Sequence, residues 1–264
     1  MRCADIHQHF KQVGTWVDWD NTTDTFKAGD PDKPVTKIAV VWKANWDALR
    51  TARRGGADMV ITHESICVRA VNGSTEPEVT FALPSEKPKF DWLSDSGLTV
   101  YRCHDFWDRY PAEGIRDSWR QGLDIGTEVT ADEYPLLVTD LGETTLGDLA
   151  RHVLSRIRSL GQTAISIVGD HETKVHRVAT GTGVTTNPIE MIRIGADVGI
   201  CTDDYFLHVR MGEHARELDF PFLIVNHCVS EAWGIAKLSA YLREEFDDVD
   251  VIHIPQICCY SVVL

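Results

Sequence analysis

Short apolar runs alternate along this chain with helix-patterned segments. That alternation restricts it to an α/β architecture, with helices covering a parallel or mixed sheet. Strand-like runs span Lys37 to Trp42, Asp58 to Thr62, Leu98 to Tyr101, Val198 to Thr202, Phe222 to Val225 and Val249 to Ile254. Two more, Thr163 to Val168 and Val175 to Thr180, read as a strand pair joined by the Gly169-Asp170-His171 turn. Helical spacing covers Ala4 to Val13, Trp46 to Gly55, Glu113 to Gly122, Thr145 to Leu160 and Glu231 to Glu245. Another helix starts at Asn187-Pro188-Ile189-Glu190, where an Asn cap is followed by Pro at the first helical position and Glu at the third. The polar, Pro-containing stretch 72–89 is expected to be a loop or lid over a strand end.

The pattern resets around residues 126 to 132. Two α/β domains are therefore expected, 1–127 and 128–264, each a mixed sheet flanked by helices, with the C-terminal helix in the second.

The chain has 264 residues and a net charge of −14, which disfavours a nucleic-acid partner held through its phosphates. The same acidity tolerates bound cations. Seven cysteines are scattered with no C-x-x-C pair, so reduced thiols in a cytoplasm are expected. No apolar run approaches the ~20 residues of a membrane span, and Met1 leads into polar residues unlike the core of a signal peptide.

Three strand-like runs end in a histidine and a carboxylate: His63-Glu64, His104 with Asp108, and His227 with Glu231. Spacing by four places both side chains of the last two pairs on one face of a helix or tight turn. In open α/β sheets, ligands gather outside the carboxyl ends of strands. Taken singly, each pair is weak evidence, since capping or surface roles explain it equally well. Together the six groups are enough for two metal ions, and imidazole with carboxylate suits Zn, Mn, Fe or Co. A hydroxide bridging two such ions would be a nucleophile at neutral pH. Asp204 and His208 form a further pair four apart, read as supporting or proton-transfer groups against a helix cap and a surface histidine.

Other features read more simply. Gly181-Thr182-Gly183 is a tight turn rather than an anion loop, since no Walker or dinucleotide motif is completed. Cys103 and Cys228 neighbour the candidate ligands but should point the other way. His7, His9, His152, His171, His176, His214 and His253 read as solvated or packing histidines, and Trp19-Asp20-Asn21 as a packed Trp with an Asx turn.

Trp19-Asp20-Asn21, Gly56 through Glu64 and Val100 through Asp108 resemble the first half of the NIF-three-like dinuclear metal-centre family. Gly195 through Asp204 with His208, and Asn226-His227 through Glu231, resemble its second half. The similarity runs through the whole chain and matches the family's short form. It implies two α/β domains, a toroidal homohexamer, and two metals held by His63, Glu64, His104, Asp108, His227 and Glu231. Two departures stand out. Glu64 replaces the second of two adjacent histidines, which tilts the expected metal towards Fe or Mn over Zn. Asp203 stands where the family usually has Gly.

Some family members carry a GTP cyclohydrolase label and others are described as partners of transcription factors. The leading expectation is a metal-dependent hydrolase-like protein acting on a small, nucleotide-like substrate, with Asp204 or His208 moving protons. The rival is a non-catalytic metal-binding hexamer serving interaction or metal trafficking, and a third option is a member in which Glu64 has cost one metal.

Overall fold

Two mixed sheets organise the chain in the computed structural model, which describes residues 1–67, 86–130, 135–183, 187–204 and 208–263. One unit comprises Met1–Tyr110 with Ile235–Gln256, the other Pro111–Gly234 with Ile257–Leu264.

The first unit carries β1 (Phe26–Ala28), β2 (Lys37–Lys43), β3 (Met59–Glu64), β4 (Thr99–Arg102) and the strand at Asp250–His253, in the order β1, β4, β3, β2, Asp250–His253. All pairs are parallel except β1 with β4. Ile38 to Val41 and Met59 to His63 are buried without alternation, as expected for parallel strands covered on both faces. Between these strands run α2 (Trp46–Arg54) and α3 (Lys87–Ser96), while α1 (Cys3–Val13) precedes β1. Asn45 starts α2 by accepting a hydrogen bond from the Ala48 amide at 2.9 Å. Leu49, Ala52, Val60, Leu93 and Val100 fill the resulting core, each large aliphatic contributing about 1.5–3 kcal/mol by burial.

The second unit carries β5 (Thr127–Thr130), β6 (Leu137–Thr145), β7 (Ser166–Val168), β8 (Lys174–Thr180), β9 (Val198–Thr202) and β10 (Phe222–Val225). Their order is β5, β6, β8, β9, β10, β7, with β8, β9 and β10 mutually parallel. α5 (Ile115–Leu123) and α6 (Leu146–Ile157) pack apolar faces into a core with Val178, Val198, Leu223 and Val225. The helix expected at Asn187 is present as α7 (Pro188–Arg193), with Asn187 Oδ1 accepting from the Ile189 and Glu190 amides.

Several expectations need correction. β7 and β8 do not pair; β7 lies antiparallel to β10, with Ile167 opposite Leu223. Five residues separate β7 from β8, too many to impose a two-residue hairpin. Strands β1, β5 and β6 were not anticipated, because β1 is short and half-buried and β6 turns polar and exposed after Thr139. The stretch 72–89 already enters a helix at Lys87, and its residues 72–85 lie outside the described residues. The chain passes between its two compact units after Tyr110, after Gly234 and after Gln256. The chain's closing strand joins the first sheet because Asp250–His253 pairs in parallel with β2. The final helix, α9 (His227–Glu245), starts four residues earlier than its apolar spacing suggests.

Candidate metal centre

In the first unit, the chain leaves β3 at His63 and Glu64 and leaves β4 towards His104. A four-residue helix, α4 (Asp105–Asp108), then turns Asp108 back under His104 through the Asp108 amide to His104 carbonyl bond at 2.8 Å. Donor atoms of His63, His104 and Asp108 lie within 4.8 Å of one another. His63 Nε2 is 3.4 Å from Asp108 Oδ1 and His104 Nδ1 is 3.3 Å from Asp108 Oδ2. Donors sharing one ion at ~2.1 Å in tetrahedral geometry stand about 3.4 Å apart, so the separation of His63 Nε2 from Asp108 Oδ1 suits a shared divalent ion. The His63 and His104 rings stack at 4.6 Å.

The tautomer of His63 follows from its surroundings. Its Nδ1 meets the Cys103 carbonyl oxygen at 3.0 Å, and a carbonyl can only accept. Nδ1 therefore carries a proton, which leaves Nε2 facing Asp108. His104 donates from Nδ1 to Asp105 at 2.9 Å. Burial works against protonating His104, but Asp108 and Asp105 outweigh it and raise its pKa. Burial likewise opposes the charge on Asp108, yet His104 and His63 hold its pKa below the usual carboxylate range.

Asp24 holds this turn together and was missed from the sequence. Its carboxylate accepts from the His104, Asp105 and Phe106 amides at 2.7, 2.9 and 2.8 Å, capping α4 from eighty residues away in the chain. Burial raises its pKa despite those bonds. Nothing in local spacing links Asp24 to His104, so only tertiary structure reveals it.

Glu64 is set differently from the other candidate ligands. The Ser65 amide donates to its Oε2 at 3.2 Å, and the Arg102 guanidinium lies 3.5 Å from the same oxygen. Glu64 is not in the group of His63, His104 and Asp108, but donor atoms of Glu64 and His63 lie within 4.8 Å of each other, as a shared metal would need.

In the second unit, His227 opens α9 and Glu231 follows one turn later, both buried. His227 Nε2 is 2.9 Å from Glu231 Oε1, and its Nδ1 is 2.6 Å from Asp204 Oδ2. Asp203 anchors the helix start, accepting from the His227 amide at 3.0 Å and from Asn226 Nδ2 at 2.9 Å. The unusual Asp203 thus caps a helix that begins 24 residues later, while its neighbour Asp204 orients the imidazole. His208 begins a single turn of π-helix, is 83% exposed, and lies 3.4 Å from Glu213.

The Gly181-Thr182-Gly183 turn also reaches this cluster. Gly183 has φ +57, and a β-carbon there would sit 3.2 Å from His227 Nε2. The position demands glycine for its backbone and leaves room beside the imidazole. Thr202 donates through its hydroxyl to the Gly183 carbonyl and pins the turn.

Cys103 and Cys228 are buried and held as thiols. Burial pushes the Cys103 pKa well above its ordinary value, and burial with the nearby Glu231 charge pushes that of Cys228 up to about 12. Trp19 is partly buried with its indole N–H on the Gly14 carbonyl, and the Asx turn next to it comes from Asp18, which accepts from the Asp20 amide. No described helix is long and apolar enough to cross a membrane.

A family model described as Duf34/NIF3 (NGG1p interacting factor 3) matches residues 2–258. A Clostridium perfringens protein named GTP cyclohydrolase 1 type 2 homolog is 22% identical over 257 residues, covering 94% of this chain and 90% of the relative. A Staphylococcus aureus hypothetical protein of solved structure is similar with a TM-score of 0.78 at 16% identity, covering 100% of this chain and 99% of that one. A Bacillus cereus protein related to NIF3 is similar at TM-score 0.76 and 13% identity, with coverage of 100% and 99%. At such identities the structures establish a shared fold of two mixed sheets flanked by helices. With a family model spanning nearly its full length, this chain belongs to the Duf34/NIF3 family.

Proposed function

We propose that this chain holds two divalent metal ions and performs hydrolytic chemistry on a small substrate. His63, Glu64, His104 and Asp108 would be ligands from the first unit, and His227 and Glu231 from the second. The observation that carries this reading is the same in both units. A histidine has its Nδ1 engaged by an oxygen, which turns its Nε2 towards a buried or half-buried carboxylate, Asp108 at 3.4 Å and Glu231 at 2.9 Å. Mixed imidazole and carboxylate donors suit Fe, Mn or Zn. When bound, such ions act as Lewis acids and bring the pKa of water near 7.

The remaining work falls to side chains of this chain. Asp204 keeps His227 in one orientation and increases its basicity as a donor. Asp24 and Asp203 hold the two ligand-bearing turns. His208, exposed and beside Glu213, would exchange protons with solvent. The name of the Clostridium perfringens relative makes GTP the first substrate to try. A homohexamer is the assembly that goes with this reading.

Metal content per chain of gently purified protein, measured with its mass in solution, tests the proposal. Close to two transition-metal ions per chain in a hexamer supports it. One ion or none after reconstitution ends the two-metal reading and favours a binding protein.

A further inference from the structure

Four cations crowd the exit of the first sheet in a chain whose net charge is −14. Three of them grip the backbone where β3 ends. Arg102 Nε donates to the His63 carbonyl at 3.0 Å, Lys43 Nζ to the Ser65 carbonyl at 2.6 Å, and Lys89 Nζ to the Ile66 carbonyl at 2.6 Å. Lys89 and Arg102 are themselves buried, at 6% and 8% exposure. Lys89 is neutralised by Glu86 at 2.8 Å, while Arg102 has Glu64 at 3.5 Å.

The fourth, Lys27, differs. It is half-buried, and among the described residues it has no hydrogen bond or ion pair. β1 faces β4 with Phe26 opposite Tyr101 and Ala28 opposite Val100, so Lys27 is the extra residue of a β-bulge. Bulges next to sites re-aim a side chain. The Lys27 charge is felt by Arg102 and Asp105, beside the candidate metal cluster. Burial and the like charge of Arg102 work against keeping Lys27 protonated and outweigh the opposing pull of Asp24, Cys67 and Asp105. Carbonyl bonding explains Lys43, Lys89 and part of Arg102, each of which still has N–H donors to spare. It leaves Lys27 unexplained.

The geometry points to an anion subsite formed by Lys27 and Arg102, with Lys43 behind them, at the carboxyl ends of β3 and β4. Its ligand is a phosphate or carboxylate group on the substrate. A tetrahedral or planar anion there would take the spare guanidinium and ammonium donors and relieve the repulsion among the cations. The reacting part of the substrate would then lie towards His63, His104 and Asp108. This deepens the metal-centre reading, on which it rests for the identity of the neighbouring group, but the subsite itself belongs to the protein's cations.

Binding of inorganic phosphate and, separately, acetate would be measured by calorimetry, on the protein as purified and again after chelation. Chelated protein isolates the cation subsite from any metal, so loss of the two-metal reading and loss of this one are distinguishable. Salt-sensitive phosphate binding to the chelated protein is expected, weakened about tenfold or more in Lys27→Met and retained in Lys27→Arg. Lys87→Met, on an exposed helix, serves as the control and should bind as the parent does. Phosphate preferred over acetate assigns a phosphoryl group, and the reverse a carboxylate. Lys27→Met that melts like the parent and binds both anions equally well overturns the proposal, as does failure of the chelated parent to bind either anion.

Discussion

The two sheets share a plan but surround their ligand candidates differently. Each has three neighbouring parallel strands, β2, β3 and β4 in one and β8, β9 and β10 in the other, and the candidate ligands lie at the carboxyl ends of β3, β4 and β10. In the first unit the candidate donors come from two strand ends and a four-residue helix, backed by the cations Arg102 and Lys43 and by the acids Asp24 and Asp105. In the second both donors sit on one helix, and the backing groups are acids, Asp203 and Asp204. In the first unit His63 is oriented by a neutral carbonyl and His104 by the Asp105 carboxylate; in the second, His227 is oriented by the Asp204 carboxylate. A carboxylate at Nδ1 makes an imidazole the stronger donor to a metal. The cations of the first unit suit an anion arriving with substrate.

Breaking the first half should have the largest effect. Asp24→Ala leaves three amides at the start of α4 without their acceptor and should cost about 3 kcal/mol or more of stability. Chemical denaturation reads this directly, and an unchanged midpoint would show that α4 holds itself. The equivalent cut in the second half is Asp203→Ala, which releases the His227 amide and Asn226. A loss of about 2 kcal/mol is expected, together with weaker metal retention. Stability lost without any change in retained metal would separate helix capping from ligand placement.

Asp204→Asn sharpens the contrast between the halves. Its side chain is 54% exposed, so folding should be little affected, whereas metal affinity should fall about 10- to 100-fold. Metal titration followed by elemental analysis would show one ion lost and one kept. Equal loss of both would argue against separate characters for the two units. The smallest effect belongs to His208→Gln, expected within about 0.5 kcal/mol in stability and without change in metal content. Its consequence should appear only in turnover of a substrate, and a drop in bound metal would assign it to the centre itself.

Much of this organisation was legible from residues alone, and the failures have a common physical cause. Buried parallel strands such as Ile38 to Val41 announce themselves as unbroken apolar runs. The pair at His227 and Glu231 was visible because four-residue spacing is a property of one helix. β6 was hidden because half of it is exposed, so its pattern carries no burial signal. The wrong pairing of β7 arose because an apolar run records that a strand is buried, not which neighbour it meets.

The sequence by itself determined the α/β class, the histidine and carboxylate groups at strand ends, and the helix starting at Asn187. Those depend on periodicity and on residue chemistry within one element. Tertiary structure alone decided that Asp24 caps α4, that Asp203 caps α9, that Gly183 makes room beside His227, and that Lys27 is turned at a bulge beside Arg102. Each of these joins residues far apart in the chain, and local spacing carries no record of a contact that only the packed sheets create.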